Sequence, residues 1–104
     1  MTLEELKQRC KKAGFQYAYG VFKEPVEPPH LVAIMRDTDN FMAENKVYFK
    51  DTPIQLDHTY INKDIDMQNE IEDEILGDIA WNKTEETYLS DEGVWQVSYF
   101  FEIW

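Results

Sequence analysis

The first third of the chain changes from a helical to a strand-like pattern of apolar positions. Leu3, Leu6 and Cys10 recur at the spacing of one helical face, and Gly14 offers a C-terminal stop. This pattern predicts a helix from about Leu3 to Ala13. On its apolar stripe, Cys10 is expected to be a small core residue and not a nucleophile.

After the predicted helix, the spacing of apolar residues becomes that of β-strands. Residues 17–22 alternate as a strand with one buried face, and residues 31–35 are apolar on both faces. Between them, residues 23–29 contain three prolines, which predict a stiff, extended joint. The strand at 31–35 is expected to lie centrally and to be covered on both faces, with a second subunit as one possible cover.

Residues 37–46 are expected to form a polar arm with two large apolar side chains, Phe41 and Met42, in its middle. Such an arm cannot easily bury both side chains within itself, so we expect a partner surface to cover them. Residues 47–50 and 54–60 then predict two strands of a hairpin.

The second half of the chain predicts one more helix and a strand-rich end. Asp64 or Asp66 can cap a helix that reaches Leu76, and residues 79–104 predict two strands that turn at 91–93. The expected fold is α+β, in the order α-β-β-β-β-α-β-β. It is a single domain (1–104) with a mostly antiparallel sheet of about four to six strands packed with two helices.

Composition supports a packed interior and an uneven charge distribution. The chain has 104 residues, of which 43% are hydrophobic and 14% aromatic, which argues against disorder despite a net charge of −11. Residues 1–36 carry six Lys or Arg against four Asp or Glu, whereas residues 37–104 carry four against seventeen. The acidic part would repel nucleic-acid phosphates, so we expect no sequence-specific nucleic-acid binding. A basic partner, or the basic face of another copy, fits better.

Catalytic and metal-binding patterns are not found in the sequence. His30 and His58 have no second histidine or cysteine at zinc-ligand spacing, and His58 is expected to pack on a strand face. Residues 37–40 begin like a calcium loop, but the required glycine and glutamate are missing. Neither Ser90 nor Ser98 has a nucleophile elbow. We expect no catalytic residue, no metal ligand, no cofactor and no enzymatic activity.

The strongest functional candidates are contact positions. The acidic run at 72–74 is either a solvated face or a dock for the basic face of another copy, and Phe100 lies opposite the main apolar face of the last strand. The predicted interface positions are Asp39, Asn40, Phe41, Met42, Glu72, Asp73, Glu74, Phe100 and Trp104. The predicted complementary basic face consists of Lys7, Arg9, Lys11 and Lys12.

Several short motifs, together with the order of elements, resemble one family. They are Tyr19-Gly20, Phe22-Lys23-Glu24-Pro25, Pro28-Pro29, Asp37 with Asp39-Asn40-Phe41, Asn45-Lys46-Val47-Tyr48 and the ending 97–103. In these the chain resembles the small tail-terminator, or tail-completion, proteins of long-tailed phages, especially those from prophages of Gram-positive bacteria.

The resemblance implies a structural protein of the virion. It implies an α+β protomer that forms a homo-oligomeric ring, expected to be a hexamer, which caps the tail tube and helps to join tail to head. The implied partners are other copies, the major tail protein and the head-completion protein. The implied location is the host bacterial cytoplasm during assembly and then the neck of the virion.

Two other functions stay open at this point. The chain could be another head-tail joining component of the neck, or an acidic DNA mimic that inhibits a host nucleic-acid-binding protein. A mimic needs carboxylates over one continuous face, which the net positive first third disfavours. No apolar run reaches the roughly 18 residues of a membrane helix, and the N-terminus has no signal-peptide pattern, so we expect a cytosolic product without membrane contact.

Overall fold

The computed structural model describes residues 1–36 and 52–103. Within them the chain forms two helices and a six-stranded, mostly antiparallel sheet, which confirms the predicted α+β class. The elements are α1 (Leu3–Lys12), β1 (Gln16–Tyr19), β2 (His30–Met35), β3 (Thr52–Tyr60), α2 (Ile65–Glu70) with a π-helical segment (Ile71–Ile75), β4 (Trp81–Lys83), β5 (Thr87–Leu89) and β6 (Val94–Ile103).

Local capping residues set the limits of both helices. The Thr2 hydroxyl accepts a hydrogen bond from the Glu5 amide at 3.1 Å, which satisfies one of the free amides of α1. Gly14 then takes a φ of +89°, which ends the helix. At the start of α2, the Asp64 carboxylate accepts from backbone amides of the first turn at 3.0 and 3.3 Å.

The sheet has the strand order β1-β2-β3-β6-β4, and β5 pairs with a different part of β6. Among the described strands, only β1 and β2 pair in parallel, and a parallel pair needs a crossover connection. The proline joint provides this crossover. The Phe22 ring, just before the joint, packs edge-on against His30 at the start of β2, with the ring centroids 5.2 Å apart.

One face of the sheet, here called the covered face, packs against α1 and the π-helical segment. Leu6 and Cys10 of α1, with Ile71 and Ile75 of the π-helical segment, are fully buried. They meet alternate strand residues, namely Leu31, Ala33, Ile54, Leu56, Val97, Tyr99 and Phe101. Burial raises the pKa of the Cys10 thiol to about 12, in agreement with its expected core role.

The strand pattern differs from the expected one in two places. Three strands follow α2, not two, because the chain pairs with β6 first through β4 and again through β5. The first strand ends at Tyr19, not at residue 22, because Gly20 leaves the strand with a φ of +88°. The predicted strand at 47–50, and its hairpin with β3, lie outside the described residues.

The opposite side of the sheet, here called the outer face, is less covered. On β2, Leu31 and Ala33 are buried on the covered face, whereas Val32 and Ile34 are only half-buried on the outer face. The sequence predicted that both faces of this strand are covered. Among the described residues, only one face is covered completely. On the other face, part of the proline joint lies near Val32.

Candidate interaction surfaces

Large apolar side chains are exposed at both ends of the sheet. The β2-end patch lies where β2 finishes, and the β3-end patch lies where the antiparallel β3 finishes. The β2-end patch consists of Tyr19 (47% exposed), Val21 (76%) and Met35 (55%), and the β3-end patch consists of Ile61 (49%), Ile65 (74%) and Tyr88 (51%). Three large exposed apolar side chains at one end of a sheet favour a contact surface there.

The outer face places Phe100 beside a cation. Phe100 is half-buried, and the guanidinium carbon of Arg36 lies 4.6 Å from the centre of its ring. Nearby, the Asp57 carboxylate accepts hydrogen bonds from Gln55 Nε2 at 2.8 Å and from Ser98 Oγ at 2.6 Å. The outer face is therefore apolar at Phe100, next to Arg36, and polar around Asp57 in the middle of the sheet.

Residues predicted to meet between copies face each other within one chain. A cleft of about 510 Å³ separates the last turn of α1 from α2 and the π-helical segment. Arg9 and Lys12 line one wall, and Asp73 and Glu74 line the other together with further polar residues. Part of the predicted charge complementarity is thus already present inside the protomer.

Arg9 forms its hydrogen bonds within its own chain. Its guanidinium donates to both carboxylate oxygens of Asp78 at 2.6 and 3.0 Å, and to the Ile75 carbonyl oxygen at 3.0 Å. The hydrogen bonds from Arg9 lower the pKa of the Asp78 carboxyl below its usual value. This contact ties α1 to the end of the π-helical segment.

Glu72 is also held within the protomer. Its carboxylate accepts from Lys83 Nζ at 2.6 Å and from the Tyr99 hydroxyl at 2.9 Å, and its side chain is 16% exposed. Burial and the hydrogen bond to Glu72 together raise the pKa of Tyr99. A second pair of this type lies nearby, where the Tyr60 hydroxyl donates to Glu86. Glu72 thus has an intrachain role that its place in an acidic run did not indicate.

Replacing Glu72 with alanine is expected to lower the free energy of unfolding by about 2 kcal/mol. The buried Tyr99 hydroxyl would lose its acceptor, and Lys83 would lose its ion pair. Urea denaturation of the purified protein measures the change. The control is Glu74→Ala, which removes an exposed acid from the same run and should change stability by less than about 0.5 kcal/mol. Equal losses in the two variants would refute the intrachain role of Glu72.

His58 lies in the core below α2. Its side chain is 1% exposed, Nε2 is 3.2 Å from the Met67 sulfur, and the Phe15 ring packs edge-on with centroids 5.8 Å apart. No described residue forms a hydrogen bond with its Nδ1. Burial lowers the pKa of His58 to about 4, so the ring is neutral at physiological pH. This environment is consistent with the packing role expected from the sequence.

The remaining predicted contact positions are placed differently. Lys7 and Lys11 lie on α1 and make no ion pair with a described residue. Four positions of the arm, Asp39, Asn40, Phe41 and Met42, and also Trp104, lie outside the described residues. Within residues 1–36 and 52–103, no group of three His, Cys, Asp or Glu side chains is arranged to hold a metal ion.

Comparison with known proteins leaves the family open. No protein-family model matches the sequence, and no curated protein is significantly similar to it. In the described parts of the chain, no helix combines the length and apolar character needed to cross a membrane. Function is therefore inferred from the surfaces of the molecule and from the motifs quoted above.

Proposed function

We propose that this protein is a phage tail terminator, a structural protein without catalytic activity. Copies of it form a ring, expected to be a hexamer, that caps the tail tube and presents the surface to which the head is joined. Its partners are other copies, the major tail protein and the head-completion protein. The observation that carries the proposal is the presence of exposed apolar patches at both ends of the sheet.

A ring stacked between tail and head needs contact surfaces on opposite sides. The β2-end and β3-end patches provide them, since each contains a side chain that is more than two-thirds exposed, Val21 in one and Ile65 in the other. A solitary soluble protein gains nothing from such groups, whereas burial in a complex removes them from water at about 25 cal/mol per Å². Two separated patches favour an assembly component over a protein with a single partner.

The charge of the protomer fits the same role. The phage genome passes through the neck, and a lining of acidic residues would keep the DNA from sticking to the protein. With a net charge of −11 the chain has enough acidic residues for such a lining. The resemblance of the motifs quoted above to tail terminators of prophages supports the same proposal.

Electron microscopy of tail tubes tests this function. We expect the purified protein to form a ring-shaped density at one end of tubes assembled from the major tail protein of the same phage. Light scattering should give a mass about six times that of the 12.4 kDa protomer, as expected for a hexamer. Tube ends that stay bare at saturating protein would refute the proposal. A ring found only on the head side would instead identify another neck component.

A further inference from the structure

The sheet ends in two edges that no described strand occupies. At β1, the Gly20 amide donates to the Ala33 carbonyl of β2 at 2.8 Å. Because backbone groups alternate along a strand, the amides of Tyr17 and Tyr19 point away from β2. At the opposite edge, β4 and β5 pair with β6 on one side only among the described residues. Free edges of this kind are templates for pairing with another chain.

The strands at the two edges of the sheet run in opposite directions. β1 is parallel to β2, β2 is antiparallel to β3, and β3 is antiparallel to β6. Both β4 and β5 are antiparallel to β6, so they run opposite to β1. If β1 of one copy lies beside the β4–β5 edge of the next, the new pair is antiparallel, which is the more stable arrangement.

The two edges also carry residues of opposite charge. Helical residues advance by about 100° each, so Lys7 and Lys11 lie on the side of α1 away from Arg9. Arg9 faces the π-helical segment, which places Lys7 and Lys11 toward the free edge of β1. At the other edge, Glu85 lies between β4 and β5 and is exposed, whereas the adjacent Glu86 is held within its own chain by the Tyr60 hydroxyl and by Lys63 at 3.7 Å.

Two exposed tyrosines belong to the same edges. Tyr19 pairs with Ala33 and is 47% exposed, and Tyr88 pairs with Trp95 and is 51% exposed. The register places both side chains on the covered face of the sheet, where α1 and the lysines also lie. Aromatic side chains at a contact contribute much apolar area for little conformational entropy.

We infer that neighbouring copies join edge to edge, with β1 of one copy pairing antiparallel with the β4–β5 edge of the next. Lys7 and Lys11 then face Glu85 of the adjacent copy. Since the two edges differ, the contact is head-to-tail, and its repetition closes a ring when the rotation between copies is a whole fraction of a full turn. The inference rests on the proposed ring and specifies its subunit contact.

A pair of neighbouring lysines gives a matched test. Lys11→Glu places a negative charge at the proposed contact, whereas Lys12→Glu changes a residue that lines the cleft within the protomer. We expect Lys11→Glu to raise the concentration at which rings form by roughly fivefold or more, and Lys12→Glu to leave it nearly unchanged. Adding Glu85→Lys to Lys11→Glu should restore ring formation. Light scattering across protein concentrations, with and without tail tubes, measures these midpoints.

Hydrogen exchange provides a second readout that does not depend on a variant. In the ring, the amides of Tyr17 and Tyr19 should exchange much more slowly than in the dilute monomer, because they gain carbonyl partners. Rings in which these amides stay unprotected, or which form equally well with Lys11→Glu, would show that another surface makes the contact and would leave the ring itself intact. Absence of any ring, even on tail tubes, would refute both the contact and the proposed function.

Discussion

Replacing Gly77 with alanine is expected to reduce the free energy of unfolding by about 3 kcal/mol. A Cβ atom at this position would lie 2.1 Å from the Asp73 carbonyl oxygen and 3.1 Å from its carbonyl carbon. Both atoms belong to the backbone, so the end of the π-helical segment would have to move. Ile75 at the end of that segment and Leu76 directly after it are fully buried in the core. Urea denaturation followed by circular dichroism measures the loss.

Gly14 supplies the control for this effect. It has a φ of +89°, but a Cβ there would meet nothing within 4 Å. Gly14→Ala should therefore cost only the backbone strain, about 1 kcal/mol. If the two alanine variants were equally stable, the close approach at Gly77 would have no energetic importance.

The stability of the protein is expected to fall by about 2 kcal/mol between about pH 7.5 and about pH 5 through His58 alone. The folded state holds this ring neutral, with a pKa of about 4, whereas the unfolded state has the ordinary pKa near 6.5. Below about pH 6.5 the unfolded chain gains a proton that the folded chain does not bind. The folded state is thus fully favoured above that pH and loses stability until about pH 4.

A comparison with His58→Phe isolates this contribution. The substitution keeps a ring in the core but removes the titrating group, so its stability should fall less steeply over the same pH range. The other titratable groups that influence the pKa of His58 are His30 on β2 and Asp64 at the start of α2, and both remain in the variant, as does the adjacent Tyr60 ring. Urea denaturation at several pH values measures both curves. Parallel curves would mean that His58 is not responsible for the loss.

Features of the fold that depend on residues close together in the sequence could be predicted. Asp64 caps α2, Gly14 ends α1, and the alternation along β6 correctly placed Val97 and Tyr99 in the core. The separation of β4 from β5 could not be predicted in this way. Each has three residues, and their limits are set by pairing with β6, where the Ser98 amide donates to the Thr84 hydroxyl at 3.1 Å.

The contact residues illustrate the same limit. Their charge pattern was visible in the sequence, but the intrachain partner of Arg9 is Asp78, which lies 69 positions away. Glu72 likewise finds Tyr99 through the packing of the π-helical segment on β6. Periodicity reports which side chains share a face, and it does not report which of them meet across the fold. The predicted contacts of Phe41 and Met42 stay predictions.

The complete burial of Cys10 has a practical consequence. A thiol with no accessible surface and a pKa of about 12 stays protonated at neutral pH, so maleimide reagents will not modify it in the native chain. A cysteine introduced on the surface becomes the sole reactive position without any change at Cys10. One fluorophore per polypeptide could then be attached, and stepwise photobleaching would count the molecules in a single particle.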